Sequence, residues 1–185
     1  MRLLMISGSL RPNSYNTLLL RRAQKAVPNG VEVVWFDDLA DVPPFREELS
    51  GVDEAPSSIQ ALRELVLSAD AILIATPEYN GSVPGVLKNA LDWLSRPYGQ
   101  GALRGKTVGV LSATTGGYGG IRAREELRKV LGRIGANVVD AEFALPKAHE
   151  QVSDDGRLSP AQEGQLASLV DAVVAESLAR DRIAA

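Results

Sequence analysis

The sequence predicts a doubly wound α/β fold, in which one parallel sheet lies between two layers of helices. Short apolar segments alternate with amphipathic segments along almost the whole chain. Two of the short segments, around Leu3 and Ala71, are almost wholly apolar, which is typical of central strands buried on both faces. The 185 residues, of which 45% are hydrophobic, are enough for one ordinary core, so we expect residues 1–185 to form a single domain.

Five segments have the length and composition of strands. The first four are short and rich in apolar residues. The fifth alternates instead, with the acidic residues Asp140 and Glu142 between apolar ones, and this is typical of a strand at the edge of a sheet. The predicted strands are Leu3–Ser7, Val31–Phe36, Ala71–Ala75, Thr107–Leu111 and Asn137–Leu145.

A helical pattern follows each predicted strand. In every case apolar residues recur at steps of three and four, as one buried helix face requires. The predicted buried faces are Leu19, Ala23, Ala26 and Val27; Ile59, Leu62, Leu65 and Val66; Leu87, Ala90, Leu91 and Leu94; Leu127, Val130, Leu131 and Ile134; and Leu166, Leu169, Val170, Val173 and Val174.

Five β–α units in succession predict an all-parallel sheet with right-handed crossovers and helices on both faces. Five strands are too few for the six-stranded dinucleotide-binding order, so we expect the five-stranded, flavodoxin-like order 2-1-3-4-5. The segment from Asp41 to Pro56 is rich in proline, glutamate and serine and is predicted to be a long surface loop.

The composition excludes several kinds of chemistry. Twenty basic and 23 acidic residues give a net charge of −3, which favours neither nucleic acid nor an anionic membrane as a partner. The chain has no cysteine and a single histidine, His149, so a thiol nucleophile, an iron–sulfur cluster and a multi-histidine metal site are all excluded. An enzyme of this composition would take its chemistry from an organic cofactor.

The apolar run at the N-terminus is too short for a signal peptide, and no segment approaches the ~18 consecutive apolar residues that a membrane-spanning helix needs. We therefore expect a cytoplasmic protein.

Open α/β sheets bind ligands beyond the carboxyl ends of their strands, at the point where the strand order reverses. In the order 2-1-3-4-5 this point lies between the first and third strands. Three unusual loops follow the strands at or next to it, namely Ser7–Asn16, Thr76–Gly85 and Ser112–Gly120. The sequence therefore predicts a ligand site formed by these three loops.

The first loop has the residues of a phosphate site. Small donors and one guanidinium stand directly before a helix, whose first N–H groups and positive dipole end attract an anion. These residues are Ser9, Arg11, Ser14 and Asn16. The alternative is that Ser14 only caps the helix. The loop lacks a GxxxxGK[ST] motif, and Leu10 stands where GxGxxG has its second glycine, so a monophosphate fits better than a diphosphate.

The second and third loops would bind the rest of the ligand, the part that carries the phosphate. A tight turn and an aromatic ring at Pro77, Glu78, Tyr79, Asn80 and Gly81 suit a flat heterocycle. The glycines of the third loop permit close backbone approach to such a ring. The alternatives are a plain Asn-Gly turn and simple loop flexibility. A monophosphate joined to a flat ring indicates FMN.

At these residues the sequence resembles the NADPH-dependent FMN reductase family, the flavodoxin-like quinone, chromate and azo-dye reductases of bacteria. The matching motifs are GSLRPNSYN, PEYNGSVPGVLKNALDW and TTGGYGG. The resemblance implies that Ser9, Arg11, Ser14 and Asn16 bind the FMN phosphate, that Pro77, Glu78, Tyr79, Asn80 and Gly81 contact the isoalloxazine ring, and that Ser112, Thr114, Gly116 and Gly117 line its other side. It also implies NADPH or NADH as co-substrate and a homodimer or homotetramer.

The implied reaction passes a hydride through flavin N5 to a small-molecule acceptor such as a quinone, an azo compound, chromate or free flavin. No side chain is then needed as a catalytic residue. The alternative is a flavodoxin-type electron carrier that NAD(P)H does not reduce directly. A hydrolase on the same fold is less well supported, because the chain has neither GxSxG nor a second histidine.

Several residues outside the three loops have open interpretations. The family theme of an arginine–glutamate bond across a tetramer interface would use Arg122 and Glu142, although Glu125 stands where some members have a tyrosine. Arg122, Arg124 and Arg128 are expected on a solvated helix face, and the alternative is that Arg122 or Arg124 binds the 2′-phosphate of NADPH.

Trp93 is expected to belong either to a dimer contact or to the local core. His149 is expected to be structural or solvated.

Overall fold

The computed structural model describes residues 1–51 and 54–184, and it has the predicted layers. All strands of its one sheet run parallel, in the order β2-β1-β3-β4-β5, so the predicted topology is confirmed. The elements are β1 (Arg2–Ser7), α1 (Tyr15–Lys25), β2 (Glu32–Phe36), α2 (Ser57–Ser68), β3 (Ala71–Ala75), α3 (Gly85–Leu94), β4 (Thr107–Ala113), α4 (Ile121–Arg133), β5 (Asn137–Leu145), α5 (Ala148–Gln151) and α6 (Pro160–Ala184).

The central strands are buried on both faces, as their apolar sequences predict. Every residue of β3 and of β4 is buried. The register pairs Ile6 with Ile74 and Ile74 with Val110, so the carboxyl ends of the three central strands lie at one edge of the sheet. That edge carries the three loops singled out in the sequence.

Helices pack on the two faces of the sheet and bury the predicted apolar stripes. On one face α2, α3 and α4 contribute Leu62, Leu87 and Leu127 to a single cluster with the strands. On the other face α1 and α6 contribute Leu19 and Val170 to a second cluster. The prediction of one domain over residues 1–185 stays a prediction, and the described residues share this one sheet.

The last strand lies at the edge of the sheet, as its alternating pattern predicts. Val139 and Phe143 are buried, whereas Asp140 and Glu142 between them are exposed. The register between β4 and β5 shifts at Gly109, where a Cβ would come within 2.5 Å of Val173 on α6. A glycine is therefore needed for α6 to pack closely on the sheet.

Three features depart from the sequence pattern. β4 continues to Ala113, two residues beyond its predicted end, and the pattern does not predict α5. The segment predicted as a long loop contains a 3₁₀ turn at Glu47–Leu49, and another turn, Leu39–Asp41, ends inside it. Residues 52 and 53 of this loop lie outside the described residues.

Trp93 belongs to the local core. Its side chain is fully buried, its indole N–H donates to the carbonyl of Pro43 at 2.8 Å, and Phe45 packs edge-on against it with the ring centroids 5.1 Å apart. The dimer-contact interpretation of Trp93 is therefore wrong for this side chain.

Within residues 1–51 and 54–184, none of the helices combines the length and the apolar character that a membrane crossing requires. The cytoplasmic location stays a prediction.

Candidate functional site

The three loops meet in a cavity of about 100 Å³ at the carboxyl edge of the sheet. Residues of all three loops line it, so the sequence prediction of a shared site agrees with the geometry. The lining residues are Ser9, Arg11, Ser14, Tyr15, Asn16, Pro77, Glu78, Tyr79, Ala113, Thr114 and Thr115.

The first loop leaves β1 through a close backbone contact. The Gly8 N–H donates to the carbonyl of Ala75 at 2.8 Å, and a Cβ on Gly8 would lie 2.9 Å from the side chain of Leu87. Only glycine fits between β3 and α3 without a shift. This contact sets the direction in which the loop approaches α1.

Ser14 caps α1 and also faces the cavity. Its hydroxyl accepts from the N–H groups of Asn16 at 3.2 Å and Thr17 at 3.4 Å, as an N-cap residue does. The capping interpretation is confirmed, and because Ser14 also lines the cavity, it is compatible with a role in binding.

Asn16 is held by the backbone of β4. Its amide N–H₂ donates to the carbonyl of Ala113 at 2.9 Å and its amide oxygen accepts from the Ala113 N–H at 2.9 Å. The side chain is 3% exposed. These two bonds fix the start of α1 against β4. They use the amide oxygen and one of the two amide N–H groups, and Asn16 lines the cavity, so its role as a phosphate ligand stays a prediction.

The second loop forms a two-residue hairpin at Asn80 and Gly81. Both have positive φ, 53° and 78°, as a type I′ turn requires. Tyr79 and Ser82 close it with two backbone hydrogen bonds of 3.0 and 3.1 Å. The Asn-Gly turn is therefore present, and it presents the ring of Tyr79, which is 45% exposed, at the edge of the cavity. Contact of this turn with a flat ring stays a prediction.

Two carboxylates tie this hairpin to α4. Glu78 accepts from the N–H groups of Arg122 at 3.1 Å and Ala123 at 3.4 Å and so caps α4. Glu126 accepts from the Ser82 hydroxyl at 2.6 Å and from the next N–H in the loop, at residue 83, at 3.1 Å. These two bonds, with the hydroxyl as the larger cause, lower the pKa of Glu126.

The link through Glu126 is not predicted from the sequence. Its partners are 44 and 43 residues away, and no local pattern marks them. Glu78 lines the cavity as expected, but its carboxylate is occupied by α4. We therefore expect its backbone, rather than its carboxylate, to face a ligand.

The third loop is supported from below by Ser112. This side chain is fully buried and donates to the carbonyl of Gly119, so the structure does not support Ser112 as a ligand contact. Gly120 has a φ of 74°, and a Cβ there would lie 3.2 Å from Ser112 and from Thr114. The predicted Gly116 and Gly117 are exposed, with open space at their Cβ positions, so backbone can be approached there.

The arginines of α4 differ in their surroundings. Arg124 is 5% exposed and pairs with Glu142 at 3.3 Å, so neither the solvated-face nor the 2′-phosphate interpretation holds for it. Glu142 stays 41% exposed in this pair, and its bond with Arg122 across a subunit interface stays a prediction. Arg128 is half-buried and donates to the carbonyl of Val139 at 2.8 Å. Of the three, only Arg122 is exposed.

His149 is half exposed and lies 3.5 Å from Glu150, consistent with a solvated residue. It lines a different cleft from that of the three loops. In the described part of the chain, no group of three or more Asp, Glu or His side chains is placed to hold a metal ion.

The three loops Ser7–Asn16, Thr76–Gly85 and Ser112–Gly120 form the rim of the cavity, and the charges at this rim favour a phosphate at the start of α1. Three helices, α1, α3 and α4, begin at these loops, and α4 is already capped by the carboxylate of Glu78. By contrast, α1 has no acidic residue in its first turn, and the exposed guanidinium of Arg11 beside it has no ion pair among the described residues. The start of α3 also lacks an acidic residue, but its loop carries no cation, so α1 is the helix start at this edge that combines an uncompensated dipole with an exposed guanidinium.

The sequence and the fold are similar to those of known flavin-dependent reductases. The model of the NADPH-dependent FMN reductase family matches residues 1–150. An NAD(P)H-dependent FMN reductase of Pseudomonas aeruginosa is 38% identical over 154 residues, which cover 83% of this chain and 82% of that relative. A quinone reductase of Escherichia coli K12 is 40% identical over 133 residues, which cover 72% and 70%. The structure of FerB, a flavoenzyme NAD(P)H:(acceptor) oxidoreductase from Paracoccus denitrificans, has a TM-score of 0.80 at 31% identity and covers 93% of this chain and 96% of its own.

Proposed function

The chain belongs to the NADPH-dependent FMN reductase family, and on that premise we propose how its rim binds the flavin. The protein is an FMN-dependent NAD(P)H oxidoreductase that acts on small-molecule acceptors. With a quinone the overall reaction is NAD(P)H + quinone + H⁺ → NAD(P)⁺ + hydroquinone, so two electrons and one proton leave the nicotinamide and one proton comes from solvent. Bound FMN supplies the ability to take up a hydride and to return its two electrons.

The phosphate end of FMN is assigned to the start of α1. Ser9 and Ser14 offer hydroxyls at the cavity, and Arg11 offers the one exposed guanidinium of this loop. A charge-assisted bond from Arg11 to a phosphate would be among the stronger contacts available to the chain. Asn16 contributes by holding this end of α1 in place.

The ring end is assigned to the hairpin and the glycine loop. Among the described residues, the N–H groups of Asn80 and Gly81 have no hydrogen-bond partner and are free to donate to the polar edge of a heterocycle. Pro77, Glu78 and Tyr79 would line one side of the ring, and Thr114, Gly116 and Gly117 the other. Donors at that edge would favour extra negative charge on the reduced ring. The chain itself then needs to supply orientation and hydrogen bonds but no nucleophile.

The observation that carries this assignment is the meeting, in one cavity, of an uncompensated helix start with Arg11 and an Asn-Gly hairpin. Its test is the affinity of the apoprotein for FMN and for riboflavin, which lacks the phosphate. Losing a hydrogen bond to a charged group costs roughly 1.5 to 3 kcal/mol, so we expect Arg11→Ala to raise the Kd for FMN at least tenfold. The Kd for riboflavin should stay within twofold.

Arg133→Ala is the matched control, because Arg133 is also exposed, has no ion pair among the described residues and lies at the opposite end of α4. Equal weakening of FMN and riboflavin by Arg11→Ala would contradict a phosphate role for Arg11. Failure of the wild-type protein to bind FMN would contradict the whole assignment.

For the coenzyme, we propose that Arg122 binds the 2′-phosphate of NADPH. The side chain is exposed at the start of α4, and its Cδ lies 3.6 Å from the Cβ position of Gly81, next to the ring end of the site. Arg122→Ala should lower kcat/KM for NADPH about tenfold and leave that for NADH unchanged. Lys129→Ala, an exposed cation on the same helix, is the control, and an equal loss with both coenzymes would contradict this role.

We further propose that the protein is a homodimer or homotetramer in which a second copy covers this rim. Four large apolar side chains are exposed around it: Leu10 (50%), Tyr79 (45%), Tyr118 (83%) and Ile121 (42%). Light scattering after gel filtration should give a multiple of 19.7 kDa, and Tyr118→Ser with Ile121→Ser should shift the mass towards the monomer. A monomeric wild-type protein at micromolar concentration would refute this.

A further inference from the structure

A second and larger cleft adjoins the flavin site on the other side of the first turn of α1. Its volume is about 470 Å³, within the range of small-molecule sites. One wall is the outer face of α1, and the other is the segment from His149 to Gly156. Ser14 and Tyr15 line both this cleft and the 100 Å³ cavity, so the two spaces meet at the proposed phosphate position.

The α1 wall of the cleft places apolar and cationic groups in a row. Ser14, Leu18 and Arg21 are spaced at four and three residues and therefore lie along one helix face. Arg21 is exposed, and no ion pair or hydrogen bond joins it to another described residue. Gly156, with a φ of 75°, approaches Leu18 so closely that a Cβ would lie 3.1 Å from its Cδ1.

The opposite wall adds an imidazole, an apolar side chain and a carboxylate, from His149, Val152 and Asp154. Asp154 is exposed and has no ion pair or hydrogen bond within the described chain. The cleft thus offers a cation near the phosphate position, apolar side chains on both walls and a free carboxylate. These are the groups that would bind a second phosphate, a purine face and a ribose diol, respectively.

We propose that this cleft binds the adenylate half of FAD, so that the protein takes up FAD as well as FMN. The inference rests on the proposed placement of the flavin phosphate at α1. Because Leu10 replaces the glycine that would let backbone approach a diphosphate, the second phosphate must be bound by side chains, and Arg21 with His149 provides them. Asp154 accepts from the ribose hydroxyls, and the adenine lies against Leu18 and Val152.

The position of the cleft favours FAD over the adenylate half of NAD(P)H. The cleft lies on the α1 and α6 side of the sheet, beyond the phosphate end of the flavin site. The ring end lies at the Asn-Gly hairpin, beside α4 on the other side. A coenzyme that stacks on the ring reaches α4 and Arg122 more directly than it reaches this cleft.

The experiment is equilibrium binding of FAD and FMN to the apoprotein by titration calorimetry. We expect wild-type protein to bind both flavins, and we expect Arg21→Ala and Asp154→Asn each to raise the Kd for FAD at least fivefold while the Kd for FMN stays within twofold. Both side chains are exposed, so the variants should fold, and circular dichroism checks this. Arg133→Ala again serves as the control cation.

The outcomes separate this inference from the flavin assignment on which it rests. Protein that binds FMN but not FAD would overturn the inference and leave the assignment intact, whereas protein that binds neither would refute the assignment itself. FAD binding that both variants leave unchanged would place the adenylate outside this cleft. A raised KM for NADPH in the FMN-loaded variants, with FAD affinity unchanged, would give the cleft to the coenzyme and also overturn the inference.

Discussion

Replacing Asn16 by alanine separates a residue that holds the site together from one that binds the cofactor. The Asn16 amide makes two hydrogen bonds of 2.9 Å to the N–H and carbonyl of Ala113 and is 3% exposed. Asn16→Ala would leave both backbone groups without a partner. Each unsatisfied buried group costs about 1 to 3 kcal/mol. Because Ala113 also lines the cavity, water can replace part of the loss, and we expect a destabilisation of about 2 to 4 kcal/mol.

The assay is urea unfolding of the apoprotein, followed by circular dichroism, with an unchanged m-value as the sign that the folded and unfolded states are otherwise comparable. For a chain of this size, the expected loss corresponds to a fall in Tm of about 4 to 16 °C. Asn13→Ala is the control, because Asn13 is exposed in the same loop and has no hydrogen bond to another described residue. It should change stability by less than about 0.5 kcal/mol.

If Asn16 served only to bind the FMN phosphate, Asn16→Ala would weaken FMN binding while the apoprotein kept its stability. In our interpretation the apoprotein itself is destabilised, and riboflavin affinity falls together with FMN affinity, because the whole start of α1 loses its attachment to β4.

Three further predictions concern residues that support the loops or the core. Gly120→Ala should cost about 1 to 3 kcal/mol, because it forces a side chain into a left-handed conformation. Gly132→Ala, in the last turn of α4 where a Cβ meets open space, should instead gain about 0.4 to 1 kcal/mol; thermal unfolding of the two variants tests both. The hydrogen bonds that lower the pKa of Glu126 stabilise the fold above the usual carboxyl pKa of 4.5, and this stabilisation is lost as the pH falls through the lowered pKa. The difference in unfolding free energy between wild type and Glu126→Gln should therefore shrink in acid. A constant difference in urea unfolding from pH 7 to pH 3 would contradict this. Trp93→Ala should destabilise by about 3 to 5 kcal/mol without changing the oligomeric mass, and loss of the oligomer alone would contradict its place in the local core.

The fold could be predicted because it depends on repeated, local patterns. Central strands such as Ala71–Ala75 are apolar along their whole length, and helix faces such as Leu87, Ala90 and Leu94 recur at helical spacing. Both patterns are set by burial and are visible in a short window of sequence. The short helix α5 has no such pattern, because only Ala148 of its four residues is buried. Its position depends on the contact of the Ala148 N–H with the carbonyl of Thr114, which no local signal reveals.

The location of the site could also be predicted, since parallel strands bring their carboxyl ends to one edge and the polar loops follow those ends. The roles of individual side chains could not. Ser112 and Arg124 carry the same chemical groups as the proposed ligand contacts Ser14 and Arg11, yet Ser112 supports Gly119 and Arg124 pairs with Glu142. Contacts between distant parts of the chain decide which polar group is hydrogen-bonded within the protein and which stays free. The bond between Asn16 and Ala113, which are 97 positions apart in sequence, is an example.

These assignments share one physical cause. A backbone N–H or carbonyl that is buried without a partner costs more than a surface hydrogen bond returns, so a side chain near such a group binds it first. At this rim the strand end at Ala113 takes the amide of Asn16, and the start of α4 takes the carboxylate of Glu78. Among the described residues, the side chains that remain without a partner at the phosphate end are the guanidinium groups of Arg11 and, in the adjoining cleft, of Arg21. The uncommitted cations of a rim, rather than its full set of polar residues, are therefore the groups to test first for anion binding, and they are the groups on which both the FMN and the FAD assignments depend.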